Sequence, residues 1–366
     1  MEQKSPSQNN WFSQFWRAIR VPFLAILMAL VVGAVILMIS GANPITAYVA
    51  LFRGAFGNAN YIKRTLEKTT PLIFSGLAVA FAFKAGLFNI GAQGQLLMGA
   101  ITSGFLGFAI KGLPPVIHIP VALMGGCLAG ALYGAIPGLL RAYSGAHEVI
   151  TSIMLNYIAI NITDYLSNGP WKDTSGINVI ARLPMVENSA KIPYIGPVPV
   201  GLLIAILIAF IIWYILEKTN FGFEIRSVGL NADASRYAGM KTKFLITSAL
   251  VVGGLLAGFG GSVETLGVVG RFQPGFNSGI GFDGITVALL GRSSPFGVIL
   301  SSFLLGALKG GANVMQFDAK VPHEIIDVIQ GLMLFFVTAD LLVRKFFRIK
   351  KDSGMEVHVT AGWGQK

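Results

Sequence analysis

Long apolar runs separated by short polar stretches organise this chain of 366 residues. Ten segments read as candidate membrane spans: roughly 22–40, 69–83, 87–110, 117–140, 149–166, 199–216, 244–262, 279–291, 296–310 and 324–342. About 20 apolar residues in a helix match the hydrocarbon thickness of a bilayer. The eighth and ninth segments are short and rich in glycine. They read as one broken helix or as a re-entrant pair, which is tolerated only where protein or a water-filled cavity covers the freed backbone.

Two polar segments interrupt the pattern. Residues 167–198 are proline-rich with mixed charge, and residues 217–243 carry Lys218, Arg226, Arg236, Lys241 and Lys243. Neither could bury a soluble core, so both read as loops. The run Phe23 to Ile39 is longer than the apolar core of a cleaved signal peptide and reads as a retained first span. Basic residues, led by Arg344, Lys345, Arg348, Lys350 and Lys351 near the end, place both termini in the cytoplasm by the positive-inside rule. The resulting layout is a cytoplasmic leader (1–21), a membrane domain (22–345) with loop 167–198 outside and loop 217–243 inside, and a cytoplasmic tail (346–366).

Composition agrees: 54% of residues are hydrophobic and only 12% are charged, half the share of an ordinary soluble domain. The net charge of +11 follows from loop bias at a membrane, not from nucleic-acid binding. The lone Cys127 excludes a disulfide framework or thiolate metal site within the chain. His118, His147, His323 and His358 lack metal-ligand spacing, and no P-loop or nucleophile elbow occurs. No cofactor is therefore expected on this chain, and its energy source is expected on another polypeptide.

The 45 glycines are unevenly placed. Gly126, Gly130, Gly134 and Gly138 recur every fourth position and predict close helix contact along one flat face. Gly254 with Gly258, and Gly306 with Gly310, repeat the spacing. Ile90-Gly91-Ala92-Gln93-Gly94 is echoed by Ile280-Gly281-Phe282-Asp283-Gly284, a faint sign of two related halves.

Around Phe88, the residues Asn89, Gln93 and Gln95 set amides among glycines at the start of a greasy span. Buried amides need partners. They read either as glue between helices or, with Asn156 and Asp283, as the lining of a path for a neutral, hydrogen-bonding solute. Asp283 also reads as a carboxylate near the backbone N–H groups of a helix start. Carboxylates within spans are few (Asp164, Glu264, Asp283, Glu324, Asp327, Asp340) and lie mostly near span ends, unlike a proton relay. In loop 217–243, Asn231 reads as an N-cap, Asp233 lies in the first turn and Gly239 reads as a C-cap of a short helix.

Three stretches, GLFNIGAQGQLLMGA, HEVITSIMLNY and GFDGITVALLGRSSPFGVILSSFLLGAL, resemble the permease family of ABC importers for ribose-type sugars, branched-chain amino acids and nucleosides. The resemblance covers about residues 70–340 and is nearest the nucleoside permeases. It implies an all-α membrane protein of about ten helices, a type II ABC importer-like bundle with some short or broken spans. It implies a non-catalytic subunit forming half of a pathway, driven by ATP and Mg bound to a partner ATPase. It further implies a second permease chain, distinct but homologous (a homodimer being the other option), an extracellular solute-binding lipoprotein, and a place in the bacterial cell membrane. It makes the short helix of 217–243 the coupling element, through Glu224, Arg226, Asn231, Ala234, Arg236, Tyr237 and Gly239; the alternative is a basic loop held by anionic lipid. Other functions left open are a ribose-type sugar permease, a stand-alone secondary transporter and a membrane-embedded enzyme, for which no catalytic cluster is seen.

Overall fold

The computed structural model describes residues 11–175, 180–275, 279–322 and 324–339, with side chains from Phe23 onward. Lys4, His323, Asp340, His358 and the basic tail 344–351 lie outside the described residues, and the side chains of Arg17 and Arg20 are not described. The described residues form thirteen α-helices and one small hairpin. The chain divides into two compact units, residues 1–51 with 312–356 and residues 52–311 with 357–366.

In the first unit, α1 (Trp11–Ile39) packs along α13 (Glu324–Thr338). Gly33 admits Ile329 and the Tyr48 hydroxyl, each 3.0 Å from where a methyl would sit. That hydroxyl donates to the Leu30 carbonyl at 2.6 Å. Tyr48 belongs to α2 (Pro44–Phe56), a helix absent from the expected spans. Its 13 residues extend about 20 Å, too short to give a spanning signal.

The second unit is built around α10 (Thr242–Glu264), which packs on α3 (Ala59–Lys84), α4 (Ala92–Ala109) and α5 (Pro115–Leu139). Glycine makes this possible. A methyl at Gly130 would overlap the Gly254 carbonyl, and one at Gly258 would lie 2.6 Å from the Gly126 carbonyl. Gly134 faces the Leu250 carbonyl and Gly138 faces Thr247, so the whole stripe rides on α10. Gly99 of α4 closes on Gly258 from the other side. Backbones in van der Waals contact gain dispersion energy that lipid tails cannot supply. Gly306 and Gly310 of α12 (Pro295–Ala319) seat against Thr69 and Thr65 of α3 in the same way. Phe74 stacks on Phe259 at 4.8 Å beside this core.

Around it run α6 (Glu148–Asn168), which packs mainly on α4, and α7 (Val200–Lys218), which packs on α3. The β1–β2 hairpin (Tyr194–Ile195 with Val198–Pro199) lies before α7, and α8 (Asn220–Leu230) and α9 (Ala232–Tyr237) follow it at the opposite end. Both α5 and α10 end in a π-turn, Leu140–Ser144 and Thr265–Val269, closed by left-handed Gly145 and Gly270.

Each expected span falls on a helix, but lengths differ. α3 begins ten residues early, with Lys63, Arg64, Glu67 and Lys68 on its first turns; these charges masked the helix. α4 begins only at Ala92 because residues 85–91 form an irregular turn. Among the described residues, six helices are long and apolar enough to cross a membrane. The eighth segment is α11 (Ile280–Leu290), whose 11 residues extend about 16 Å and cannot cross about 30 Å of hydrocarbon. The ninth, α12, has 25 residues and can.

Candidate functional site

The amide cluster sits where the turn after α3 meets α4, α6, α10 and α11. Asn89 and Gln95 form a reciprocal pair: Asn89 Nδ2 donates to Gln95 Oε1 at 3.0 Å and Gln95 Nε2 donates to Asn89 Oδ1 at 3.1 Å. Gly253 on α10 leaves the room that Asn89 fills. Asn156 of α6 accepts from the Gly94 N–H at 2.8 Å and donates to the Ile90 carbonyl at 3.0 Å. Gln93 Oε1 accepts from the Gly281 N–H at 2.8 Å, joining α4 to α11. The two echoed segments therefore touch: a side chain at Gly281 would collide with the backbone of Gln93.

All four amides are at most 3% exposed. In this conformation they do not line an opening. With buried partners on three helices they act as glue, because an unpaired amide in this interior would cost about 1–3 kcal/mol. Phe88 is half-buried and meets Phe83 edge-on at 4.9 Å. Asp283 stands in the first turn of α11, where its ion pair with Lys309 of α12 (2.7 Å) goes beyond the helix-start reading.

At the opposite surface from the hairpin, α8 and α9 form a short rod; α9 coincides with the short helix expected between Asn231 and Gly239, whereas α8 falls where only loop was expected. Thr219 caps α8, accepting from the Gly222 N–H at 3.1 Å. Gly222 is pressed onto Ile215 and Leu216 of α7, and Arg226 pairs with Glu217. Glu224 is half-buried. Asn231 Oδ1 accepts from the Ala234 N–H at 2.9 Å. At the other end Gly239 (φ +85°) donates to the Arg236 carbonyl and Met240 donates to the Ser235 carbonyl, both at 3.0 Å. These two bonds make a Schellman closure. Ala234, Arg236 and Tyr237 project outward, Tyr237 being 94% exposed. Ser235 is the buried contact. The far end of α8 reaches the amide turn, since Gly229 abuts the Lys84 carbonyl and the backbone of Gly86.

At the hairpin end, the Tyr194 hydroxyl lies 3.0 Å from Glu67 Oε1 and 2.8 Å from the Gly267 carbonyl, with Lys63 over its ring. Burial and the Glu67 carboxylate push the Tyr194 phenol above its ordinary range. Asp173 binds the Ser175 hydroxyl and N–H and pairs with Arg182 at 3.2 Å, with Arg271 at 4.0 Å. Those Ser175 bonds, with Arg182, hold its carboxyl below the usual range. His118 bridges Ser189 and the Leu106 carbonyl, a structural role. No group of three or more metal-ligating side chains occurs among the described residues.

A family model described as the permease component of a branched-chain amino acid transport system matches residues 61–338. That match takes in the amide turn, the α8–α9 rod and the α11–α12 pair together. This chain belongs to that permease family. Among curated relatives, a guanosine ABC transporter permease of Bacillus subtilis is 42% identical over 88% of this chain and 94% of its own length. A nucleoside ABC transporter permease of Lactococcus lactis is 37% identical over 89% and 92%. A glucose ABC transporter permease of Haloferax volcanii is 35% identical over 91% and 89%. Bacillus subtilis and Lactococcus lactis each also contain a second, more distant permease with the same cargo in its name. The permease is thus a multi-pass membrane subunit of a transport system and not an enzyme. Sequence reasoning about it missed Lys309, a lone cation in a glycine-rich run, because only carboxylates were weighed as intramembrane charges. It also missed the Tyr194–Glu67 contact, which joins positions far apart in the chain.

Proposed function

We propose that this permease is one of two membrane subunits of an ATP-driven importer whose cargo is a nucleoside. ATP and Mg bind a partner ATPase, and an extracellular solute-binding lipoprotein delivers cargo to the outer face. The protein sits in the bacterial cytoplasmic membrane with both termini, and α8–α9, on the cytoplasmic side. The cargo class is supported by the guanosine and nucleoside relatives, which match nearly the whole chain. The paired permeases of Bacillus subtilis and Lactococcus lactis support a distinct, homologous second chain.

The observation that carries the coupling is the capped, six-residue α9 with Tyr237 fully outside the bundle. A helix this short is marginal alone, so two caps and a large exposed ring make sense as a preformed contact for another protein. Glu224, Arg226, Asn231, Ala234, Arg236, Tyr237 and Gly239 form this contact and its supports. ATP-driven closure of the ATPase pair displaces the rod, and Gly229 delivers the motion to Gly86 and the amide turn. Phe88, Asn89, Gln93, Gln95, Asn156 and Asp283 are then the joint that re-sets α4, α6 and α11 between inward and outward openings.

The test is uptake of labelled guanosine into vesicles. The chain assembled with its second permease and ATPase should accumulate guanosine only with ATP. Uptake by the chain alone, driven by a proton or sodium gradient, would replace this reading with a secondary transporter. ATP-dependent uptake of ribose but not guanosine would replace it with a sugar permease.

A further inference from the structure

One face of α6 has no occupant among the described residues. Its packed face is Glu148, Ser152, Asn156, Ala159, Thr163 and Ser167. Around the opposite side Ile150, Ile153, Ile158 and Ile160 are exposed, together with Met154, Tyr157, Asn161 and Tyr165, which recur at helical spacing, Tyr157 at 66% and Tyr165 at 71% exposed. The neighbouring outward faces differ. On their central turns α5 shows Val121, Met124, Leu128, Leu132 and Ile136, and α7 shows Leu203, Leu207, Phe210 and Ile211, apolar as lipid requires, while the exposed Tyr214 of α7 lies near that helix's end.

Depth decides what meets α6. Its 21 residues extend about 30 Å, which places Tyr157 about 14 Å from one end, near the bilayer centre. Lipid-facing tyrosines belong at the interfaces, where the hydroxyl reaches water. Asn161 gives one amide hydrogen to the Tyr157 carbonyl at 2.8 Å, which uses one of its four hydrogen-bonding capacities. Exposing an amide and a phenol to hydrocarbon at this depth is costly, so this face meets water or polar partners.

We infer that the outward face of α6, centred on Tyr157 and Asn161, is the wall this chain contributes to an aqueous seam shared with the second permease, and that it contacts the cargo. A tyrosine ring offers a stacking platform to a planar base, and an asparagine amide presents a donor and an acceptor to a base edge. The existence of the wall follows from α6 itself; the class of cargo rests on the nucleoside reading above.

The test uses the full assembly in vesicles. Asn161→Cys and, as a second position on the same stripe, Met154→Cys are compared with Leu128→Cys on α5, using a charged, water-soluble thiol reagent. Native Cys127 is buried and stays in place. Thiolates form in water and not in hydrocarbon, so both α6 cysteines should react at least about tenfold faster than the α5 one. Guanosine should slow the reaction, and ribose should slow it less. Equal, slow labelling on α6 and α5 would overturn the wall. Fast labelling that guanosine leaves unchanged would overturn the cargo contact while keeping the wall. Guanosine uptake, measured separately, shows whether the nucleoside reading itself has failed.

Discussion

The α5–α10 seam and the α8–α9 rod use glycine for opposite ends. In the seam, Gly126, Gly130, Gly254 and Gly258 remove side chains so that two backbones touch, and nothing can slide between them. At the rod, a methyl added at Gly239 would meet nothing within 4 Å; the glycine supplies a left-handed turn that ends a helix in the open. The seam joins two helices along their backbones, and the rod stands exposed, which the coupling proposal makes a handle. Damage to the first should destroy the fold, whereas damage to the second should leave a well-inserted but idle protein.

The largest effect is expected from Gly130→Leu. Overpacking of an ordinary core costs about 1–3 kcal/mol, and here the new side chain meets a carbonyl on a facing helix. Folded protein should be absent after detergent extraction and size-exclusion chromatography. Gly239→Pro should instead extract normally, because the proline removes only the N–H to Arg236 and the left-handed turn. ATP-dependent uptake should fall at least about tenfold as the rod loses its closure. If both variants behaved alike, the contrast between body and handle would fail.

Next comes the intramembrane ion pair. Lys309→Met leaves the Asp283 carboxylate without its ammonium partner, and breaking a buried pair costs about 3–5 kcal/mol. The double variant with Asp283→Asn should recover much of that loss in thermal unfolding, and simple additivity would show that the pair does not matter. Asn89→Leu or Gln95→Leu should each cost about 1–3 kcal/mol by stranding the other amide, with the double variant below the sum.

Much of this was legible beforehand. Hydrophobic run length found the membrane helices, the fourfold glycine repeat found the seam, and Asn231 with Gly239 marked the two ends of α9, eight residues apart in the sequence. Local chemistry leaves local signatures. What stayed hidden depends on distant partners. Polar glycine-rich sequence at residues 86–95 does not say whether amides face water or one another; only the approach of Asn156 and Gly281 from far along the chain decides it. Lys309 went unweighed because its partner Asp283 stands on a different helix, and charges on the first turns of α3 concealed that the helix began there.

The smallest effect is expected at the hairpin end. The Asp173 carboxyl is held below its usual range, so its contribution is fully present above about pH 4, the unfolded value, and is lost only as pH falls through the lower folded one. Limited proteolysis of the 167–198 segment should therefore stay slow at pH 4 and quicken below it. Asp173→Asn should remove that dependence.

A photo-activated cross-linking residue at position 237, in the assembled transporter, asks directly what the handle grips. Adducts should form with the ATP-hydrolysing subunit, and their yield should change when ATP replaces ADP. Adducts confined to lipid, or to the second permease, would contradict the coupling role of α9.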